Sequence, residues 1–285
     1  MSKKNYTPPV FAEPKDGQAP PNPWECICWK KTVADGDESV IYPAYCAEHG
    51  IDISLLPEPY TGRPDSKVVC LNLNPGLSDC DLCFRFNKTL CRETHSTLCH
   101  DREGFMWLDT DIRCADDCGG LHGGCRWWRQ RTQELREAVR DARQASAGGE
   151  PLPTPDSLDI FDLEYFPYHT CHAFSFPSLP SDSYRNHLLR QALRRAMRRE
   201  AIIVIMRGKK QWTDLINELV EGGVKALRGE SLIELRSSQN PALTKNNVGD
   251  EEQWERLVQM LRDPLPPLPK SRAATTTAHN PKPNK

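Results

Sequence analysis

Between residues 67 and 262, short runs rich in β-branched and aromatic residues alternate with helical patterns, which restricts the chain to βα units on a mostly parallel sheet. The strand-like runs are 67–73, 159–166, 201–206 and 232–235. The helical patterns are 127–146, 183–200, 209–220 and 250–262. Gly148-Gly149 and Gly222-Gly223 stand where helices would stop, since glycine takes the left-handed cap conformation without strain. The expectation is an α/β fold: a three-layer α/β/α sandwich with a central four-stranded, mostly parallel sheet. No internal repeat is visible.

A chain of 285 residues suits one sizeable core with appendages. Residues 1–22 hold five prolines and little apolar periodicity, and the Pro- and Thr-rich stretch 264–285 is similar, so both are expected to be disordered. Between them lie a Cys/His segment at 23–65 and the α/β domain at 66–263, with a Cys-rich insertion at 80–126. No run of about 18 apolar residues suggests a membrane helix, and the start lacks the apolar centre of a signal peptide. The expectation is therefore a protein of the cytosol, monomeric and without a membrane partner.

The net charge of -2 leaves any attraction to nucleic acid to local clusters. One is the run Arg185, Arg190, Arg194, Arg195, Arg198 and Arg199. Helical spacing spreads these around the helix, so the segment reads first as a solvated face and second as a DNA track. Lys209, Lys210 and Lys245, near strand exits, are better placed for DNA.

Ligands of open parallel sheets bind beyond the carboxyl ends of the strands. Three exits are unusual there: Asn72-Leu73-Asn74-Pro75-Gly76, Glu164-Tyr165-Phe166-Pro167-Tyr168-His169, and Arg236-Ser237-Ser238-Gln239-Asn240-Pro241-Ala242-Leu243. Each alone reads as an ordinary proline turn. Their ordered combination is less common, and in it the chain resembles the uracil-DNA glycosylase superfamily, in particular its mismatch-specific and single-strand-selective branches. The first family motif, Gly-hydrophobic-Asn-Pro-Gly, is matched by Asn72 to Gly76 with Asn replacing the first Gly. The second, Asn-Pro-Ser or His-Pro-Ser, is matched by Asn240-Pro241-Ala242. The resemblance covers roughly 66–262 and is nearer still to a prokaryotic branch, some of whose relatives act against phages with modified bases.

The resemblance implies a monofunctional DNA glycosylase in antiviral defence or base-excision repair in a prokaryotic cytosol, with no cofactor for catalysis and DNA as partner. Asn74 would position the attacking water. Asn72, two residues earlier on a strand, points to the same side and either helps hold that water or closes its own turn. A flipped base would stack on an aromatic ring, for which Phe105, Trp107, Tyr165 and Tyr168 are candidates, with His169 beside them. Pro75, Gly76, Ser238, Asn240, Pro241 and Lys245 would approach the DNA backbone, and Leu243 would wedge into the vacated stack.

Glu164 departs from the family pattern, in which uracil-specific members place an Asn. A carboxylate accepts from an exocyclic amine such as cytosine N4 and is repelled by uracil O4, so a cytosine-like base is expected if Glu164 faces the pocket. The other reading of Glu164 is a surface glutamate paired with an arginine.

Eleven of twelve cysteines fall between Cys26 and Cys125. Cys26, Cys28, Cys46 and His49 have the ligand types of a tetrahedral zinc knot with an excursion of 17 residues between the pairs. Cys80, Cys83, Cys91 and Cys99 with His95 and His100, and Cys114, Cys118 and Cys125 with His122, form two further groups. Structural zinc is preferred over iron-sulfur clusters or independent thiols, because a long loop poor in aliphatics needs another source of order. Two other function classes remain open at this point: a nucleic-acid-binding module of weak activity, and a zinc-dependent hydrolase.

Overall fold

The computed structural model describes residues 19–268, apart from 29, 78–80, 82, 83, 85, 86, 114–119, 148–152, 154, 156, 173, 228 and 230. The expectations for the chain before 19 and after 268, and for Cys80, Cys83, Cys114 and Cys118, lie outside the described residues.

Seven strands are present among these: β1 (Ile51–Asp52), β2 (Tyr60–Thr61), β3 (Val68–Asn72), β4 (Ile160–Glu164), β5 (His169–Thr170), β6 (Ile202–Ile205) and β7 (Leu232–Glu234). The helices are α1 (Pro43–His49), α2 (Lys88–Leu98), α3 (Met106–Asp109), α4 (Gly123–Arg131), α5 (Gln133–Ser146), α6 (Asp182–Met197), α7 (Lys209–Leu219), α8 (Lys245–Val248) and α9 (Glu251–Arg262). No helix among the described residues is long and apolar enough to cross a membrane.

The main sheet has five strands in the order β2-β4-β3-β6-β7. The three pairings among β4, β3, β6 and β7 are parallel and involve the four expected runs. The fifth strand, β2, pairs antiparallel with β4 and corrects the expected count of four. With only two residues, it leaves no alternation in the sequence to read.

Side chains alternate across the sheet and build a core on each face. Val69, Leu71, Phe161, Leu163, Ile203 and Ile205 face α6 and α7, with Leu189, Leu193, Trp212 and Ile216 packed against them. Val68, Cys70, Ile160, Ile202 and Val204 face the other way, toward Leu108, Trp128, Leu135, Val139 and Leu257 of α3, α4, α5 and α9.

Three boundaries differ from expectation. The single helix expected over 127–146 is two, α4 and α5, broken at Thr132, whose hydroxyl bonds back to the Trp128 carbonyl at 2.7 Å. The segment 23–65 does not stand apart, because Trp24, Ile27, Ala34, Ile41 and Ile51 join the core beneath β4. At the edges, Asn22 donates to the Leu98 carbonyl at 2.7 Å and the Leu265 amide to Asp159 at 2.9 Å, so order extends past both expected limits.

In chain order the parallel strands are arranged second, first, third, fourth. The connection from β3 leads to one side and the next crosses to the other. The order thus reverses at the carboxyl end of β3, where a crevice opens in such sheets.

Candidate active site

On the face toward α3–α5, β3 presents Val68, Cys70 and Asn72, and β4 presents Ile160, Asp162 and Glu164 in register beside them. The same face therefore changes from apolar to polar toward the switch point. Asn72 lies opposite Glu164 and Cys70 opposite Asp162. The Asn72 amide donates to Asp162 Oδ1 at 2.8 Å, whereas Asn72 Oδ1 and Glu164 Oε2 are covered and have no hydrogen-bond partner. Such orphaned groups cost about 1–3 kcal/mol each, so a site that keeps two of them suits a ligand that satisfies them.

Asn72 and Glu164 both line a cleft of about 330 Å³, which also takes in Asn74, Glu58, Trp107, His122, His169 and Arg207. Desolvation dominates three of the carboxyl groups there. It raises Glu164 well above the usual carboxylate range, with Asp162 and Glu58 adding to the effect and Arg207 opposing it. Asp162 is pushed up to about 8 by desolvation, against the hydrogen bond from Asn72. Glu58 is pushed up to about 7 by desolvation, with His169 opposing. The shift favours the protonated form of Glu164, which carries one O–H donor and one acceptor.

The exit of β3 is fixed from three directions. The Asn72 carbonyl accepts from the Trp212 indole at 2.7 Å and the Tyr165 amide at 3.1 Å, and the Leu73 carbonyl accepts from the Phe166 amide at 2.9 Å. Gly208, with φ 66°, lets β6 turn away close by, since a β-carbon there would lie 2.7 Å from Leu73. Beyond, Asn74 Nδ2 donates to the Pro75 carbonyl at 2.9 Å and to Thr170 Oγ1 at 2.8 Å. The amide is thereby oriented, and its Oδ1 has no donor among the described residues. His169 bridges the Gly76 carbonyl at 2.8 Å and the Leu56 carbonyl at 3.1 Å, with Glu58 at 3.5 Å. Pro75 is buried and Gly76 exposed at the cleft wall.

Trp107 supplies the aromatic wall. Its ring stacks on His122 at 4.9 Å and 11°, and Gly124 runs close by, leaving 2.8 Å between the ring and a β-carbon added at that position. His122 Nδ1 accepts from the Gly124 amide at 3.1 Å, capping α4, and its pKa is pushed down to about 4 by burial with Asp81 opposing. The ring is neutral at neutral pH, so the Trp107 wall carries no charge on that side.

The structure thus brings together Asn72, Asn74, Glu164, Trp107, His169, Pro75 and Gly76 from the sequence candidates. Three others are corrected. Phe105 is buried against Trp128 in the core, with centroids 4.7 Å apart, and does not line the cleft. Tyr168 is an anchor instead: its hydroxyl donates to Asp37 at 2.8 Å and accepts from the Ala34 amide at 3.1 Å. Leu243 is wholly buried beneath α4, its amide on the Arg131 carbonyl at 2.7 Å, and so is not presented as a wedge.

Ser238 and Asn240 are exposed, Pro241 is buried, and Lys245 pairs with Glu251 at 2.6 Å. Asn247 holds that loop by donating to the carbonyls of Asn240 at 3.1 Å and Ala242 at 2.9 Å. Tyr165 stands off the cleft, edge-on to Trp212. In the arginine-rich helix, Arg185 and Arg195 bond backbone carbonyls of the body and Arg198 pairs with Glu200.

Cys26, Cys28, Cys46 and His49 do not gather as a ligand set. The Cys46 thiol is buried on the Ile41 carbonyl at 3.2 Å, His49 stacks on Phe174, and Cys26 and Cys28 are exposed. No group of three or more His, Cys, Asp or Glu suited to a metal occurs among the described residues.

The cleft also contains residues that the sequence reading passed over. Asp162 was signalled by an acid inside an otherwise apolar strand. Glu58, Asp81, Trp127 and Arg207 carried no local signal, because only folding brings the segments that hold them to β3, whereas His122, read as a candidate metal ligand, caps α4 at the cleft.

No family model, no curated protein and no solved structure matches the chain.

Proposed function

We propose that the chain is a DNA glycosylase that hydrolyses the N-glycosidic bond of a flipped, cytosine-like pyrimidine and leaves an abasic site. The observation that carries this reading is that Asn72 and Glu164, each with one unsatisfied oxygen, line one cleft with Asn74 and Trp107 at the switch point of the sheet. The volume is within the range of small-ligand sites.

A cytosine edge offers a ring nitrogen acceptor beside an amine donor. Neutral Glu164 donates its O–H to the ring nitrogen and accepts from the amine, while Asn72 Oδ1 takes the second amine hydrogen. Trp107 forms part of the wall against which the base packs. As the bond from the sugar breaks, its electron pair moves into the base, and the Glu164 O–H stabilises that developing charge. Asn74 Oδ1 accepts a hydrogen bond from the water that adds to the oxocarbenium-like carbon; the departing base keeps the Glu164 proton, and the proton shed by the water returns through solvent to Glu164.

The test is a panel of oligonucleotides carrying cytosine, 5-substituted cytosines or uracil at one position, with alkali-sensitive strand scission as readout. Scission at cytosine-type positions is expected, with uracil weaker. Absence of scission across the whole panel contradicts the reading.

A further inference from the structure

We infer that Arg131 and Arg207, both over the indole of Trp127 at the rim of the cleft, form a binding site for one phosphate of the strand whose base enters the cleft. The inference rests on the glycosylase reading for the identity of the strand, but the anion site stands on its own geometry.

Arg131 ends α4 and Arg207 follows β6, so the two guanidinium groups come from opposite parts of the chain to a single ring. They lie 5.7 and 5.5 Å from the Trp127 centroid. Neither forms an ion pair within 4 Å among the described residues, and the carboxyl that Arg207 acts on at longer range is Glu164 in the cleft. Arg131 Nε is buried without an acceptor. The Arg131 pKa is lowered by burial first and by the nearby Arg207 charge second, so the two cations repel each other. Two adjacent cations with an orphaned donor and no counter-ion are stable together when an anion with several acceptor oxygens bridges them. A phosphodiester supplies that, and planar guanidinium forks match its geometry.

The location fits the same ligand. Trp127 and Arg207 line the cleft beside Glu164, so a bound phosphate would lie within reach of a nucleotide whose base occupies the cleft. The exposed loop at Ser237–Asn240 is tied to the same corner, because the Leu243 amide bonds the Arg131 carbonyl. The net charge of -2 over the whole chain makes this local pair the more important for holding a polyanion.

The experiment measures binding of a single-stranded oligonucleotide to the full chain by fluorescence anisotropy over a range of salt, with R131Q, R207Q and wild type, and base release in parallel. Each variant is expected to weaken binding and to reduce the slope of log K against log salt by about 0.7, the value for one phosphate on a single strand. The double variant should lose little more than either single one, since both act on one phosphate. If R131Q does not fold, R207Q alone carries the test. Unchanged affinity and slope in folded R207Q, or no binding by wild type, overturns the site. Base release by wild type with unchanged slopes sinks the phosphate site and leaves the glycosylase reading, whereas reduced slopes without any base release do the reverse.

Discussion

Asn72 and Glu164 face each other in parallel register across β3 and β4, and each keeps one side-chain oxygen without a partner. Asn72 Nδ2 is committed to Asp162, so Oδ1 is the group left for a ligand. The pair defines which edge of a base the cleft can read.

Glu164→Gln separates reading from chemistry. Glutamine offers the same donor and acceptor as a neutral carboxylic acid, so base preference should persist and KM should change by no more than a few fold. It cannot supply a mobile proton, so kcat should fall by roughly 10²-fold or more. Because the Glu164 pKa is raised, the wild-type rate should decline as pH rises through that elevated value, while the variant shows no such decline. A variant that loses preference but keeps kcat would contradict this assignment. Single-turnover kinetics across pH make the comparison.

Thr170→Val tests the orientation of Asn74. The hydroxyl accepts from Asn74 Nδ2 at 2.8 Å and donates to the His172 carbonyl at 2.9 Å, so its loss frees the amide to turn. Base release should slow by about 10-fold, which corresponds to about 1.4 kcal/mol, with oligonucleotide affinity preserved. Equal losses in rate and affinity would make Thr170 merely structural.

Asp162→Asn should change how stability depends on pH. The group titrates near 3.8 when unfolded and at about 8 when folded, so between those values the folded chain holds a proton that the unfolded chain has released. Stability contributed by the protonated form is therefore complete below about pH 4 and is lost as pH rises toward about 8. An amide at this position does not titrate and still accepts from Asn72. Urea unfolding should show the variant gaining on wild type by on the order of 1–3 kcal/mol at pH 8, with little difference at pH 4. An identical pH profile in the two proteins would refute the neutral-carboxyl description of the cleft.

Leu243→Ala distinguishes core from wedge. A wholly buried leucine lost from the core costs about 2–5 kcal/mol, read as a lower urea midpoint. A wedge would instead lose base release from duplex while stability and single-strand activity stayed the same.

Much of the fold was legible because its signals are local. The four parallel strands were marked by short β-branched runs, and α6, α7 and α9 by periodic apolar positions, with Gly222-Gly223 marking the stop after α7. The two-residue strands β1, β2 and β5 had too few residues to show a period, and the break at Thr132 depends on one hydroxyl turning back on its own helix. In the site, Asn72, Asn74 and Glu164 were readable as polar residues at strand exits, where topology puts ligands. Leu243 and Tyr168 misled, since an apolar or aromatic residue near a strand exit looks the same in sequence whether it packs inward or faces the cleft. Asp81, Glu58 and Arg207 were invisible for the opposite reason: they reach the cleft through loops whose course is set by tertiary packing.

The most direct measurement is identification of the free product by mass spectrometry after incubating the full chain, with chelator present, with a single-stranded oligonucleotide carrying one 5-substituted cytosine. The expected result is a free cytosine-type base with wild type, reduced by at least about 10²-fold in Asn74→Ala while its fold and oligonucleotide affinity persist. No free base from wild type, or equal release from Asn74→Ala, would contradict the proposal that this cleft cleaves an N-glycosidic bond by a water held at Asn74.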